Sequence, residues 1–483
     1  MSIAQDPAKT ADGCDSDIGR MTVNMLPDDV LLIIFAFYVG GTRRTNGWAT
    51  LGHVCRKWRN NVFGSPRHLN LQLVHTERTR IRKTLDVWPP LPIAIKGNYY
   101  SKPGQDDLMA TLEHNDRVCE IELWFDSNSL WQRVLATMQV PFPMLTDLGF
   151  RSHWHGTLAS DIPDSFLGGS APRLRTFFLY GIPFPGLLKL LSTAADLVGV
   201  QLEKIPPSGY FAPETLITCL SALTSLESLH IGFKYPGPRP VRESQPPLLP
   251  TCTLPSLTYL YFQGVSEYLE EVVARIDAPL LNGSVIIFFD QLIFDTPQLT
   301  QFISRTPLLK AYDKARVTFS YVDASVVLAQ TNVTNHSSYG RLQLSILCEP
   351  AELPLASLVQ VCSSSIPQAF LLTVERLDIL KRWSLEPHPP DNIESGQWLE
   401  LLRPFIAVEA LYLSAKIAAI FTPALQELAG ERATEVLPVL QSLFLEKPDE
   451  SDHMQKAIGQ FTAARELSGH PVSVSRRSMD DRF

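Results

Sequence analysis

The 483-residue sequence lacks runs of one charge, closely spaced cysteines and any apolar stretch long enough to span a bilayer, and each absence removes a class of function. With 42 Lys and Arg against 50 Asp and Glu, the formal net charge is -8 and the pI about 5.8. No basic tract stands out against that balance, so nothing offers a grip on a phosphate backbone, and nucleic acid is not expected as a partner. The longest apolar run of note, Val30 to Val39, is about half of the roughly 18 to 20 residues that cross a membrane. No transmembrane helix is expected. The first residues, MSIAQDPAKTADGCDSDIGR, are polar and acidic, without the basic start and apolar run of a secretory signal. Cys14, Cys55, Cys119, Cys219, Cys252, Cys348 and Cys362 are scattered and form no CxxC pair. They read as reduced thiols of a cytoplasmic or nuclear protein, where the Asn-x-Ser/Thr matches at Asn282, Asn332 and Asn335 carry no meaning. P-loop, GxGxxG, HExxH and GxSxG motifs and spaced Cys/His clusters are also missing, so no catalytic residue, cofactor or metal is expected. The best metal candidate, His153-Trp154-His155, supplies two imidazoles and no further ligand.

What is present begins after a leader over residues 1–23, expected to be disordered. In MLPDDVLLIIFAFYV, Pro27 suits a first helical position, and Asp28 and Asp29 place negative charge at the positive end of the helix dipole. Leu31, Ile34, Phe35 and Tyr38 recur at helical spacing, while Val30, Leu32, Ile33 and Phe37 make the other faces apolar as well. Such a helix calls for burial on both sides. Gly40 and Gly41 end it. A second amphipathic stretch, WATLGHVCRKWRNNVF, carries its stripe on Trp48, Leu51, Cys55, Trp58 and Val62, with Arg56, Lys57 and Arg59 expected as a solvated rim. On periodicity alone, a helical hairpin that caps the next domain explains these residues equally well.

Residue identity adds to the periodicity. Leu26-Pro27, then Ile34-Phe35, then Val54-Cys55-Arg56-Lys57-Trp58-Arg59 and Ser65-Pro66 resemble the F-box, the motif that binds the Skp1 adaptor of cullin-RING ubiquitin ligases. The resemblance covers about Met25 to Leu69. It implies that Leu26, Pro27, Ile34, Phe35, Val54, Cys55 and Trp58 contact Skp1 or hold the contacting helices in place.

The remaining 400 or so residues carry a degraded repeat: an apolar residue, two variable ones, an apolar one, one variable one, then another apolar one. It appears as Leu145/Leu148/Phe150, Leu174/Phe177/Leu179, Leu197/Val200/Leu202, Leu226/Leu229/Ile231, Leu257/Leu260/Phe262, Val408/Leu411/Leu413 and Leu440/Leu443/Leu445. Leading anchors of the first five lie 29, 23, 29 and 31 residues apart, close to the roughly 20 to 29 of leucine-rich repeats. The last two positions of a unit fall two apart on a short strand and face inward. Apolar stretches between them, such as LLKLLSTAAD after Gly186 and LITCLSAL after Thr215, have helical spacing and supply an outer layer. The variable residues are left as the functional surface. From Pro279 to Asp391 the pattern loosens into VIIFF, RVTFSYV and RLQLSIL, read as diverged repeats of one sheet, with a separate β-rich domain as the competing interpretation.

The expected fold is therefore α/β: an N-terminal helical F-box at 24–70, then an irregular leucine-rich-repeat-like solenoid at 71–450. Pro236 to Pro255, with seven prolines, and Leu385 to Gln397 are expected as projecting loops. Over 451–483, a helix with Met454, Ala457, Ile458, Phe461 and Ala464 on one face is expected to cap the array, followed by a frayed tail VSVSRRSMDDRF. The whole pattern resembles the F-box proteins with leucine-rich-repeat-like tails of mushroom-forming fungi. That resemblance implies a non-enzymatic adaptor that binds a Skp1-like protein, through it a cullin, and an unknown protein substrate. A free-standing repeat scaffold with no ligase role is the alternative.

Overall fold

The computed structural model describes residues 23–41, 47–66, 68–79, 90–152, 162–234, 251–289, 294–309, 312–320, 323–330, 340–347, 355–381, 395–428, 434–446 and 452–477. The chain divides into two compact units, Met1–His75 with Thr79–Ala94, and Thr76–Arg78 with Ile95–Phe483. Residues 1–22 of the expected leader and the His153-Trp154-His155 segment lie outside the described residues, while Val23 begins a 3-10 turn, Val23–Met25.

The first unit opens with α1 (Asp28–Gly41), which starts where Pro27 and the two aspartates predict, its Leu31 amide donating to the Pro27 carbonyl at 3.1 Å. Where one amphipathic stretch was expected, the structure has two short helices, α2 (Gly47–Val54) and α3 (Arg56–Gly64). The break sits at Cys55. Its backbone is extended (φ -156°, ψ 172°) and its Sγ accepts from the Trp58 amide at 3.5 Å, so the thiol acts as the N-cap of α3. Lys57 and Arg59, solvated as a rim, also hold the helix ends. Lys57 Nζ donates to the Leu26 carbonyl at 2.9 Å and pairs with Asp28 at 3.4 Å, while Arg59 Nε donates to the Gly52 carbonyl at 2.9 Å. The Asn61 amide, at 3.0 Å, and then Lys57 hold the Asp28 carboxyl below the ordinary carboxylate range. Leu31, Phe35, Trp48, Leu51 and Val62 form the interior, with Phe35 against Trp58 at 4.8 Å and Trp48 edge-on to Phe63 at 5.8 Å. The unit also holds β1 (Leu73–His75) and the start of β2 (Ile93–Asn98).

The second unit alternates strand and helix. Its strands are β3 (Val118–Phe125), β4 (Asp147–Ser152), β5 (Thr176–Tyr180), β6 (Gly199–Ile205), β7 (Ser228–Phe233), β8 (Cys252–Thr253) and β9 (Tyr259–Gly264). They continue with β10 (Ile276–Asp277), β11 (Gly283–Phe288), β12 (Lys314–Phe319), β13 (Asp323–Ala329), β14 (Arg341–Leu347), β15 (Arg376–Lys381), β16 (Ala410–Leu413), β17 (Ser442–Glu446) and β18 (Ser473–Arg477). β3 to β7, β9 and β11 lie side by side, every neighbouring pair parallel, while β8 and β10 make a separate two-stranded sheet. Every anchor of the seven repeats is buried, from Leu145 through Leu445. Because alternate residues of a strand point to opposite faces, the second and third anchors go under the helices and the residue between them goes to the open face. No unit can cover its own apolar face, so each is sealed by its neighbours, and the unit is leucine-rich-repeat-like in this sense.

A ladder of backbone bonds marks the start of successive rungs: Val198 N to Arg175 O, Glu227 N to Val198 O and Thr258 N to Glu227 O are each 2.8 Å. Buried Glu270, on the helix Ser266–Val273, reinforces the stacking. It accepts from the Gln298 and Leu299 amides at 3.0 and 2.7 Å and so caps the next helix, Pro297–Arg305.

The loosened region continues the same sheet but not in chain order. β11 pairs in parallel with β14, β14 antiparallel with β13, β13 antiparallel with β12, and β12 in parallel with β15. A three-stranded meander is thus inserted in reverse spatial order before parallel stacking resumes through β16, β17 and β18. Two loop expectations and the tail need correction. Residues 235–250 and 382–394 are outside the described residues, but Cys252–Thr253 is a strand, and Ser395–Gln397 begins the helix Ser395–Leu402. The C-terminal helix, Asp452–Leu467, buries Met454, Ala457 and Phe461, and Ser473–Arg477 of the expected tail adds a parallel strand to β17, while residues 478–483 lie outside the described residues. The helix is the crossover of one more unit. Its buried Arg465 donates to the Leu440 carbonyl at 3.0 Å and the Pro438 carbonyl at 3.2 Å.

Candidate functional site

In the first unit, α1 has two apolar faces with different fates. Leu31 and Phe35 are fully buried, whereas Val30, Ile33, Ile34, Phe37 and Tyr38 form a second row at helical spacing and stay exposed, Phe37 at 80%. Ile34 and Tyr38, grouped by spacing with Leu31 and Phe35, belong to this outward row. Val23, Met25 and Val54 are also exposed. Of the seven residues singled out in the sequence, Phe35 is buried, Leu26, Cys55 and Trp58 are half-buried, and Pro27, Ile34 and Val54 are exposed. The set therefore divides into residues that build the module and residues that it presents. Lys57 and Arg59, which fix the helix ends, were missed because a charged side chain that donates to a carbonyl leaves no periodic trace.

In the second unit the residues between the anchors line up across the strands. One row runs Glu122, Gly149, Phe178, Gln201, His230 and Tyr261; the next runs Trp124, Arg151, Tyr180 and Glu203. The guanidinium carbon of Arg151 lies 4.3 Å from the Phe178 ring centre and 6.0 Å from those of Trp124 and Tyr180. Lys204 reaches the same group from β6, its Nζ 5.3 Å from the Tyr180 ring centre. Simple alternation would send Lys204 into the core. A register shift between Leu202 and Ile205 and a left-handed φ of 48° at Lys204 turn it outward instead. His230 lies beside Tyr259 at 5.0 Å and Tyr261 at 5.5 Å, and burial holds its imidazole below the ordinary range against the opposing pull of Glu203. An open cleft of about 430 Å³, lined by Glu77, Arg78, Lys96, Glu122 and Trp124 among others, adjoins Trp124. Spacing rules could not find this face because they constrain only the anchors.

A second charged group lies on β12 and β15. Asp378, 1% exposed, receives Arg376 at 2.9 Å, Arg316 at 3.6 Å and Lys314 at 3.8 Å. Four buried thiols are held protonated. Burial pushes Cys219 and Cys362 up to about 12 and Cys119 and Cys252 up to about 11, far above the range of a nucleophilic thiolate. Among the described residues no group of His, Cys, Asp and Glu could hold a metal ion, and no helix is long and apolar enough to cross a membrane.

No protein-family model matches the sequence, and no curated protein matches it. Among solved structures the chain is similar to the leucine-rich repeat-containing protein LegL7 from Legionella pneumophila. The identity is 15% and the TM-score 0.27, over 72% of this chain and 96% of that chain. With so low a score, the architecture rests on the chain's own strand register and buried anchors.

Proposed function

We propose that the chain is a non-catalytic adaptor of a Skp1-cullin-F-box ubiquitin ligase, of the type with leucine-rich-repeat-like tails known from mushroom-forming fungi. The first unit docks on a Skp1-like protein in the cytoplasm or nucleus, and the open face of the repeats holds a protein substrate. The observation that carries the reading is the outward row of α1: Ile33, Ile34, Phe37 and Tyr38 are 41% to 80% exposed on a helix whose opposite face already fills its own interior. Such a patch has a cost in water that a partner removes. Each of these side chains contributes roughly 1.5 to 3 kcal/mol when buried, before association entropy is subtracted. Leu26, Pro27, Val54, Cys55 and Trp58 complete the proposed contact.

The test is direct binding of the full chain to a purified Skp1-like protein. Because Ile34 and Phe37 face solvent, Ile34→Asp and Phe37→Asp should keep the helical signal and each weaken binding by about tenfold or more, the scale of one buried apolar side chain. Unchanged binding in the double variant, or none in the wild type, removes the adaptor reading and leaves the free-standing scaffold.

A further inference from the structure

We infer that the open face of β3 to β6 receives the carboxylate side chain of a polypeptide partner at Arg151. This deepens the adaptor reading and rests on it, since it gives the substrate a chemistry: an Asp or Glu beside an aromatic or aliphatic residue.

The first ground is an unbalanced charge. Arg151 sits in register between Trp124 and Tyr180 on its neighbouring strands and lies against the face of Phe178. Aromatic faces attract a guanidinium but leave its N–H groups without acceptors. Its Nε is buried without a hydrogen-bond partner, and Arg151 makes no ion pair among the described residues. Three acids of this face are engaged elsewhere: Glu120 pairs with Lys96 at 2.6 Å, Asp147 accepts from the Thr146 hydroxyl at 2.7 Å and from Thr176, and Glu203 accepts from Gln201. A buried guanidinium N–H that lacks an acceptor costs free energy, and a carboxylate brought against the same guanidinium adds charge-assisted hydrogen bonds.

The second ground fixes the occupant. Glu120, Glu122, Asp147 and Glu203 stand on the same strands, so a polymer with a phosphate at every step meets repulsion along the face. A single carboxylate on a peptide brings one charge to the face and can be set at Arg151, with Lys204 on the far side of Tyr180. Trp124, 37% exposed, and the adjoining cleft give the neighbouring side chain an apolar wall. Trp, Tyr and Arg together are the residues in which binding energy concentrates at protein interfaces.

The experiment selects a phage-displayed random peptide library on the full-length chain and measures synthetic versions of the enriched peptides by fluorescence anisotropy. Enrichment of Asp or Glu next to an aromatic or aliphatic residue is expected. Affinity should fall about tenfold or more in Arg151→Gln, the scale of a charge-assisted pair, and equally when the acid of the peptide becomes its amide, a change that leaves the protein untouched. Peptides without an acid, no enriched peptide, or an affinity indifferent to both changes overturns the proposal. So does a single-stranded oligonucleotide that binds more tightly than the peptides and is lost in Arg151→Gln. Skp1 binding is measured on the same variant: it should equal the wild type. Absent Skp1 binding in both proteins with intact peptide recognition would sink the adaptor reading alone, whereas the peptide results decide the Arg151 site.

Discussion

Two buried or half-buried polar residues of the open face set expectations that single substitutions check. Asp378 balances Arg376, Arg316 and Lys314, and its own side chain is 2% exposed. Asp378→Asn keeps the shape but leaves three cations around a neutral amide. Removing one partner of a buried pair costs on the order of 3 kcal/mol, so the urea midpoint should fall clearly, while Asp378→Glu should fall less. Equal midpoints for Asn and wild type would show the cluster to be solvated. His230 gives a pH dependence. Burial first, against a smaller upward pull from Glu203, holds its folded pKa below the ordinary 6.5. The unfolded chain therefore takes the proton more readily, so this contribution to stability is complete above 6.5 and is lost as pH falls from there toward the depressed value. Unfolding midpoints measured between about pH 7 and pH 5 should drop for the wild type and drop less for His230→Gln. Parallel slopes would acquit the imidazole.

At the scale of elements, the repeat was legible in seven rungs through its three apolar anchors, because an inward strand position tolerates little else. The rung at β3 shows the same signal in Val118, Ile121 and Leu123, all buried, although it stood outside the recognised series. Three features left no such signal. The break between α2 and α3 depends on one thiol that caps a helix, which periodicity reads as one more stripe residue. The reversed order of β12 to β14 is a matter of pairing, and pairing is not written in hydropathy. β18 reads as a tail because Val474 is the one apolar residue of Ser473–Arg477, as an edge strand with one neighbour allows. Deletion of residues 471–483 tests its role: β17 loses its parallel cover, and light scattering should show concentration-dependent association that the full chain lacks. A deletion variant that stays monodisperse would mean β17 needs no such guard.

For the whole molecule, the division into two units allows the adaptor and scaffold readings to be separated by one deletion. Without residues 1–70, the chain should keep the main unfolding transition of the repeats and lose binding to the Skp1-like protein. Collapse of that transition would make the N-terminal helices a cap instead. The candidate site follows the same division. The residues of the first unit proposed for docking were singled out as residue types, and their sorting into inward and outward rows needed coordinates. The Arg151 face was foreseen only as variable positions, since nothing in an array's core constrains what its solvent side presents.

The reversed meander bears on how such a chain is made. Elsewhere each rung finds its neighbour in the next repeat, but the parallel partner of Gly283 is Arg341, and two other strands are synthesised in between. On a ribosome the flank of β11 must then wait, bare, until residue 347 has emerged, so a pause just before that point should trap a nascent species that chaperones hold and proteases cut near β11.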